Sequence, residues 1–385
     1  MDAADVTLAT YTYNDGHFVD GLLADVRQWT VRPQEIVVVD DGSVPAYSLP
    51  HCAVPVRLLR RQENQGIPRT KHEAISAGGS TFLLAMDCDA RVCADWLERC
   101  LPQARRPEVG LVSGPVEYLS GNDLVSRFQR CFGDNHNLEG SGVTDFVPGN
   151  VFLMRRAVWE ACGGMQGFVG DVCEDHFLCN RIKEMGLSLW IEARARAKQI
   201  RRINRLAMVQ RYWRWCHVPV KRRAMESDDI PGYVLVVLAM PLAERLEIAI
   251  AREEPMFLYL ETVYLSYCVL DLLDHCISQG KADVSFKAAW WAELSRIFGG
   301  YPMLWALLRS DLASLGQTPV FGPWPGADNP FAPSLIAFDV LRPTKVFDWI
   351  SRQGIAAMLA DDKAQRYDFS FYEAGSARRD ANSDR

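Results

Sequence analysis

Short apolar runs and helical patterns alternate along the first half of the chain, and the strand-like runs end in polar turns. Val6–Tyr11 leads into Thr12-Tyr13-Asn14-Asp15-Gly16, Glu35–Val39 into Asp40-Asp41-Gly42-Ser43, and Thr81–Met86 into Asp87-Cys88-Asp89. Val54–Leu59, Val109–Ser113 and Phe146–Met154 have the same strand character. Between them, the spacing of Phe18, Leu22, Leu23 and Val26 predicts a helix. Pro68–Ala77, Ala157–Cys162 and Glu174–Met185 read as further helices, closed by Gly78-Gly79, Gly163-Gly164 and Gly186. Such βαβ alternation constrains this half to a mostly parallel sheet covered on both faces.

Near residue 200 the strand signals stop. Helical stretches follow at Leu206–Trp215, Val234–Ala251, Met256–Cys276, Ala288–Ile297, Met303–Leu315 and Thr344–Leu359, with Gly316–Pro333 as an irregular crossing segment. The expected division is an α/β domain over 1–200, a mainly helical domain over 201–361 and a tail over 362–385, its last ten residues polar enough to be disordered. Pro241 breaks the apolar run Tyr233–Ala243, and Glu261 and Asp271 interrupt Met256–Leu273, so buried helices are expected there rather than membrane spans.

Composition narrows the class. With 49% hydrophobic residues in 385, the chain can bury a large core, which excludes a disordered or collagen-like protein. Eleven cysteines, an odd number thinly spread, read as reduced thiols. The acidic start Met1-Asp2-Ala3-Ala4-Asp5 does not resemble a secretory signal. The expected location is cytoplasmic, with attachment to the inner face of a membrane left open.

Ligands of open α/β sheets bind outside the carboxyl ends of the strands. One acidic turn there is ordinary turn chemistry. Three of them, at Tyr11–Asn14, Asp40–Ser43 and Asp87–Asp89, can converge on one crevice. In extended chain the carboxylates of Asp87 and Asp89 share one side while Cys88 turns inward. Two hard oxygen donors on one side suit Mg²⁺ or Mn²⁺. Glu174-Asp175 opens a helix, where acidic residues simply complement the helix dipole; a carboxylate there also suits a general base. The glycines at 163, 164, 167 and 170 just upstream suit a mobile loop over such a base.

Val37-Val38-Val39-Asp40-Asp41-Gly42-Ser43, Asn64-Gln65-Gly66, Asp87-Cys88-Asp89 and Glu174-Asp175 recur in an order that resembles inverting family 2 glycosyltransferases of the GT-A fold. The resemblance covers roughly residues 5–195. It implies a Rossmann-like mixed sheet followed here by a mainly α-helical region, and a metal-dependent transfer of a sugar from a nucleoside-diphosphate sugar, with UDP favoured. It further implies that Tyr11, Tyr13, Asp41 and Lys71 contact the nucleotide, Lys71 standing where an Arg is frequent. Asp87 would face the ribose or sugar, with Asn150 in the Pro148-Gly149-Asn150 turn near the acceptor side. Asp89, with Asp87, would hold Mn²⁺ or Mg²⁺, and His217 is a further candidate for metal or phosphate. Asp175 would be the catalytic base, with Glu174 beside it. The acceptor would be a hydroxyl of a glycan, a lipid-linked saccharide or a protein.

The sequence departs from that pattern in places. Tyr11 stands where Pro is usual, and Lys71-His72 replaces a more usual Arg-Asn. Gln210–Trp215 approaches the Gln-x-x-Arg-Trp of processive synthases with one residue too many.

Rival chemistries are weaker. Cys173, His176 and Cys179 cannot surround one tetrahedral zinc from a single helix. A nucleotidyltransferase would want a Gly-rich phosphate loop after the first strand, which Thr10–Gly16 lacks. A catalytically silent module that binds nucleotide or anion remains the alternative. The net charge of −6 hides one basic segment: residues 194–223 hold eleven Lys and Arg and no acidic residue, leaving 31 basic against 48 acidic residues elsewhere. Such a segment can meet a diphosphate, an anionic acceptor or an anionic membrane. The acidic balance of the rest argues against nucleic acid as partner. The helical half is expected to extend the acceptor side and to offer a surface for homo-oligomers.

Overall fold

A computed structural model describes residues 3–118, 121–132, 140–322, 324, 326, 328–341 and 345–364. The end expected to be disordered, 376–385, lies outside the described residues. These fall into two compact units, one built from 3–121 and 129–202, the other from 122–128 and 203–364.

The first unit is organised on an eight-stranded sheet. Its strands are β1 (Ala3–Thr12), β2 (Arg32–Asp40), β3 (Val56–Arg60), β4 (Phe82–Met86), β6 (Val109–Ser113), β8 (Gly142–Thr144), β9 (Val151–Arg155) and β10 (Ser188–Ile191), in the order 3-2-1-4-9-6-10-8. β5 (Ala90–Val92), β7 (Val116–Tyr118) and β11 (Ala197–Gln199) form a small second sheet. β1 runs parallel to β2 and β4, pairing Thr12 with Asp40 and Ala9 with Ala85, so three strands end side by side. The sheet is mixed rather than mostly parallel, because β9 runs antiparallel to β4 and β6. The run expected as a strand over Phe146–Met154 begins pairing only at Val151. Pro148 has no N–H for a ladder, and the segment before Val151 turns instead.

The period of two sorts the core. Leu8, Val38 and Leu84 pack on one face against α1 (Gly16–Val26) and α3 (Trp96–Ala104), through Leu22, Val26, Trp96 and Leu101. Ala9, Val39 and Leu83 pack on the other against α2 (Ile67–Ser76), α5 (Arg156–Cys162) and α6 (Glu174–Glu184), through Ile75, Trp159 and Leu178. Ile36, Val37, Val38 and Val39 are all fully buried, the mark of a strand covered on both faces. An α/β sheet followed by a helical region is the fold class that the resemblance implied.

The second unit is helical. It takes the start of α4 (Leu124–Phe132), then α7 (Arg205–Glu226), α8 (Ile230–Val234), α9 (Met240–Ala251), α10 (Pro255–Ser278), α11 (Val284–Phe298), α12 (Pro302–Ser314), α13 (Ile336–Leu341), α14 (Val346–Trp349) and α15 (Ile355–Ala364). Prolines at 231, 255 and 302 stand in the first turns of their helices, where a missing N–H costs nothing. α10 is the core helix. It is the one described helix long and apolar enough to cross a membrane, and 89% of that apolar stretch is buried within the fold. Two of its buried polar side chains reach partners on other helices: Glu261 forms an ion pair with Arg245 Nε at 2.7 Å, and Tyr259 donates at 2.5 Å to Asp311, which also binds Arg205. Phe128 packs edge-on against Phe257 and Arg127 pairs with Glu254 at 2.7 Å, which ties the short 122–128 segment to this unit.

Candidate active site at the strand ends

The three polar clusters meet. Ser43 Oγ accepts from the Asn14 N–H at 2.8 Å, and Asn14 Oδ1 accepts from the Val44 N–H at 2.8 Å, which joins the ends of β1 and β2. Tyr11 donates its hydroxyl to Asp87 Oδ1 at 2.6 Å, which joins the ends of β1 and β4. Asn150 reaches the same place from the turn before β9, its carbonyl accepting from the Asp87 N–H at 2.8 Å. Tyr13 is half-buried just past β1.

Asp40 and Asp41 brace this corner. Asp40 accepts from the N–H groups of Ser43 and Tyr47, and Asp41 from those of Gln65 and Gly66 at 3.0 Å each. The Asp41 contacts fix the Asn64-Gln65-Gly66 turn that opens α2. Gly42 is required there: at φ +80° its absent Cβ would fall 2.8 Å from the Glu63 carbonyl carbon. Burial raises the Asp41 carboxyl above its ordinary range against the pull of these bonds.

Lys71, on α2, lies almost wholly buried at the centre. Its Nζ is 2.7 Å from Glu174 Oε1, 3.1 Å from the Gly149 carbonyl oxygen and 3.3 Å from Asp87 Oδ1, and 5.7 Å from the centroid of the Tyr11 ring. Burial opposes its charge, but Asp87 and Glu174 outweigh burial and hold the ammonium above its ordinary value. Asp87 is pushed up to about 6 by burial, with Lys71 pulling it back and Asp89 adding to the rise. Asp175, on the first turn of α6, accepts from the Gly149 N–H at 3.0 Å and from its neighbour His176 at 2.9 Å. Burial, then the adjacent Glu174, raises its carboxyl. Each Asp175 oxygen keeps a lone pair beyond the one it uses, so a basic carboxylate remains available to a hydroxyl. Asp175, Glu174, Lys71, Asp87, Tyr11 and Asn150 are thus brought together within one unit.

Asp89 points elsewhere. Its Oδ2 lies 2.6 Å from Arg201 Nε and 3.4 Å from Gln199 Nε2, and the same guanidinium reaches Asp15 Oδ2 at 2.7 Å. Nothing in the sequence pattern marks Arg201, Asp15 or Gln199 as site residues. Arg201 did belong to the basic segment, but nothing in the segment distinguishes it from its ten neighbours. The structure disperses that segment. Arg205 pairs with Asp311, Lys221 with Asp271 and Arg196 with Glu117, while Arg222 and Arg223 are exposed on α7. His217 lies on α7 in the helical unit, its Nδ1 3.0 Å from the Arg214 carbonyl oxygen. Cys179 is buried with its thiol on the Val147 carbonyl, and His176 stacks on Phe146 at 4.2 Å.

Among the described residues no group of three His, Cys, Asp or Glu side chains could hold a metal ion. Asp87 and Asp89 supply two hard oxygen donors. Such donors suit a divalent cation whose other positions are taken by water and substrate phosphate, but here each is paired with a cation of the chain, Asp87 with Lys71 and Asp89 with Arg201.

The model of glycosyl transferase family 21 matches residues 53–313, and the chain belongs to that family. The resemblance read from the motifs pointed to family 2; the glycosyltransferase class stands, and the family assignment moves to 21. EpsH of Bacillus subtilis (strain 168) is 28% identical over 108 residues, 27% of this chain and 31% of that protein. The chain therefore spans about a third of that relative's length. Among solved structures, GalNAc-T7 with UDP, GalNAc and Mn²⁺ aligns over 52% of this chain and 43% of its own, at 14% identity and a TM-score of 0.40. The mannosyltransferase PcManGT from Pyrobaculum calidifontis, in complex with GDP-Man and Mn²⁺, aligns over 82% and 87%, at 16% identity and a TM-score of 0.40.

Proposed function

We propose that this chain transfers a sugar, with inversion, from a nucleoside-diphosphate sugar to an acceptor hydroxyl. The family supports the class of reaction. The observation that carries the mechanism is the gathering of Asp175, Glu174 and Asp87 around Lys71 at the carboxyl ends of β1 and β4.

An acceptor hydroxyl is a poor nucleophile at neutral pH. Asp175, with its basicity raised by burial, takes the proton as the oxygen attacks the anomeric carbon. Attack from the face opposite the diphosphate inverts that carbon, and no covalent enzyme intermediate forms. The Gly149 and His176 N–H groups aim the carboxylate, so the base is held before substrate arrives. Tyr11, Tyr13 and Asp41 line the nucleotide side, and Asn150 the sugar. Asp87 and Asp89 would hold Mn²⁺ or Mg²⁺, which when bound offsets the charge of the leaving diphosphate. The donor favoured is UDP-linked, and the acceptor a glycan, lipid-linked saccharide or protein hydroxyl. The place of action proposed is the cytoplasm or the inner face of a membrane.

The test is a panel of UDP-, GDP- and dTDP-sugars with Mn²⁺, reading release of nucleoside diphosphate. Release from one donor is expected. Nucleotide binding without release from any donor would instead support a silent binding module.

A further inference from the structure

We propose that Lys71 is a positioning residue that locks the catalytic carboxylates together, and not a contact to the donor. This rests on the transfer reading above. An ammonium has three protons to donate. Lys71 Nζ faces three acceptors: Glu174 Oε1 at 2.7 Å, the Gly149 carbonyl at 3.1 Å and Asp87 Oδ1 at 3.3 Å. Two protons are committed to Glu174 and Gly149, the ammonium is ion-paired with Asp87 besides, and the side chain is only 4% exposed, which leaves little of it for a diphosphate.

The three acceptors come from three separate pieces of the fold: the first turn of α6, the turn before β9 and the end of β4. No two of them are close in sequence, and the one ammonium reaches all three. Gly149 is the link to the base. Its carbonyl is held by Lys71, and its N–H donates to Asp175 Oδ2 at 3.0 Å. Glu174, gripped at 2.7 Å, is the residue next to Asp175. Lys71 therefore fixes Asp175 from two sides, through the peptide it bonds and through the helix turn it anchors. An Arg at this position would present a planar, wider group that cannot match three converging acceptors in the same way.

Lys71→Met is compared with the unaltered protein by amide hydrogen exchange, by UDP titration calorimetry with Mn²⁺, and by UDP release from the donor sugar that the panel identifies. The Gly149 and His176 amides, which donate to Asp175, should exchange at least tenfold faster in Lys71→Met. The UDP dissociation constant should stay within threefold. Turnover should lose at least a hundredfold in kcat while the donor KM stays within threefold. Lys71→Arg should recover part of the amide protection. A tenfold weaker UDP affinity with both amides still protected would overturn the proposal in favour of a donor contact. Unchanged exchange and unchanged turnover would overturn it as well. Should Lys71→Met fail to fold, the same readouts on Lys71→Arg decide. The exchange readout needs no turnover, so a chain that releases no nucleotide refutes the transfer reading while the role of Lys71 is still decided.

Discussion

Arg201 Nε lies 2.6 Å from Asp89 Oδ2, and the same guanidinium reaches Asp15 Oδ2 at 2.7 Å. One buried cation thus ties the turn after β1 to the turn after β4. Burial works against its charge, and Asp89 and then Asp15 more than compensate. The pair of carboxylates in Asp87-Cys88-Asp89 is accordingly divided between two cations of the chain, Lys71 for the first and Arg201 for the second.

Arg201→Met leaves Asp15 and Asp89 buried without their shared partner. Breaking a buried ion pair from one side costs about 3–5 kcal/mol. Urea unfolding at pH 7 should show a loss of that order. A difference below about 1 kcal/mol, the level of an exposed pair, would show that the bridge is not structural.

The acid limb of the pH–rate profile should lie above the range of an ordinary aspartate. Asp175 must be ionised to take a proton, and burial followed by Glu174 raises its carboxyl. Activity therefore falls as pH drops through this raised value. A limb at the ordinary aspartate value would contradict the assignment.

A side chain at Gly149 would crowd its neighbours. A Cβ there would stand 3.1 Å from Asp175 Cβ, 3.2 Å from Lys71 Nζ and 3.3 Å from Asp175 Oδ2. Gly149→Ala should lower kcat by roughly 10–100-fold by displacing the base, since small misplacements of reacting groups are costly. UDP affinity, measured by calorimetry, should change less than threefold. Unaltered kcat would mean that the turn does not position Asp175.

Glu261 in α10 makes a prediction about stability. Burial pushes it up to about 7, with Arg245 pulling the other way. A carboxyl whose folded value exceeds its unfolded one holds its proton more tightly in the folded chain. Its contribution to stability is therefore greatest at low pH and declines as pH rises from about 4.5 towards 7. Glu261→Gln should remove that decline, about 3 kcal/mol between the two limits. Parallel pH dependences of unfolding in the two proteins would contradict it.

The convergence at the strand ends was legible because alternation fixes where turns lie in a parallel βαβ frame. Tyr11, Asp41 and Asp87 stand out for that reason; Asp175 opens a helix and is marked only by its pairing with Glu174 and by the resemblance. Asp41 and Asn64-Gln65-Gly66 stand apart as motifs in the sequence, and in the fold they are two sides of one turn, with Gly42 packed between. What stayed hidden has physical causes. β5, β7 and β11 are three residues each, too short to carry a period, yet β11 is what delivers Gln199 and Arg201 to Asp89. The antiparallel insertion of β9 follows from pairing, which no local pattern encodes. The basic run looked like one surface, but Arg201, Arg205 and Lys221 each answer a distant carboxylate. Adjacency in sequence carried no information about those partners.

The most direct test of the account is sugar transfer by Asp175→Asn beside the unaltered protein, with the donor that releases its nucleotide and with UDP affinity measured on both. Loss of the base should lower kcat by roughly 10²–10⁴-fold while UDP binds within threefold of the unaltered protein. Transfer by Asp175→Asn at an undiminished rate would contradict the central claim.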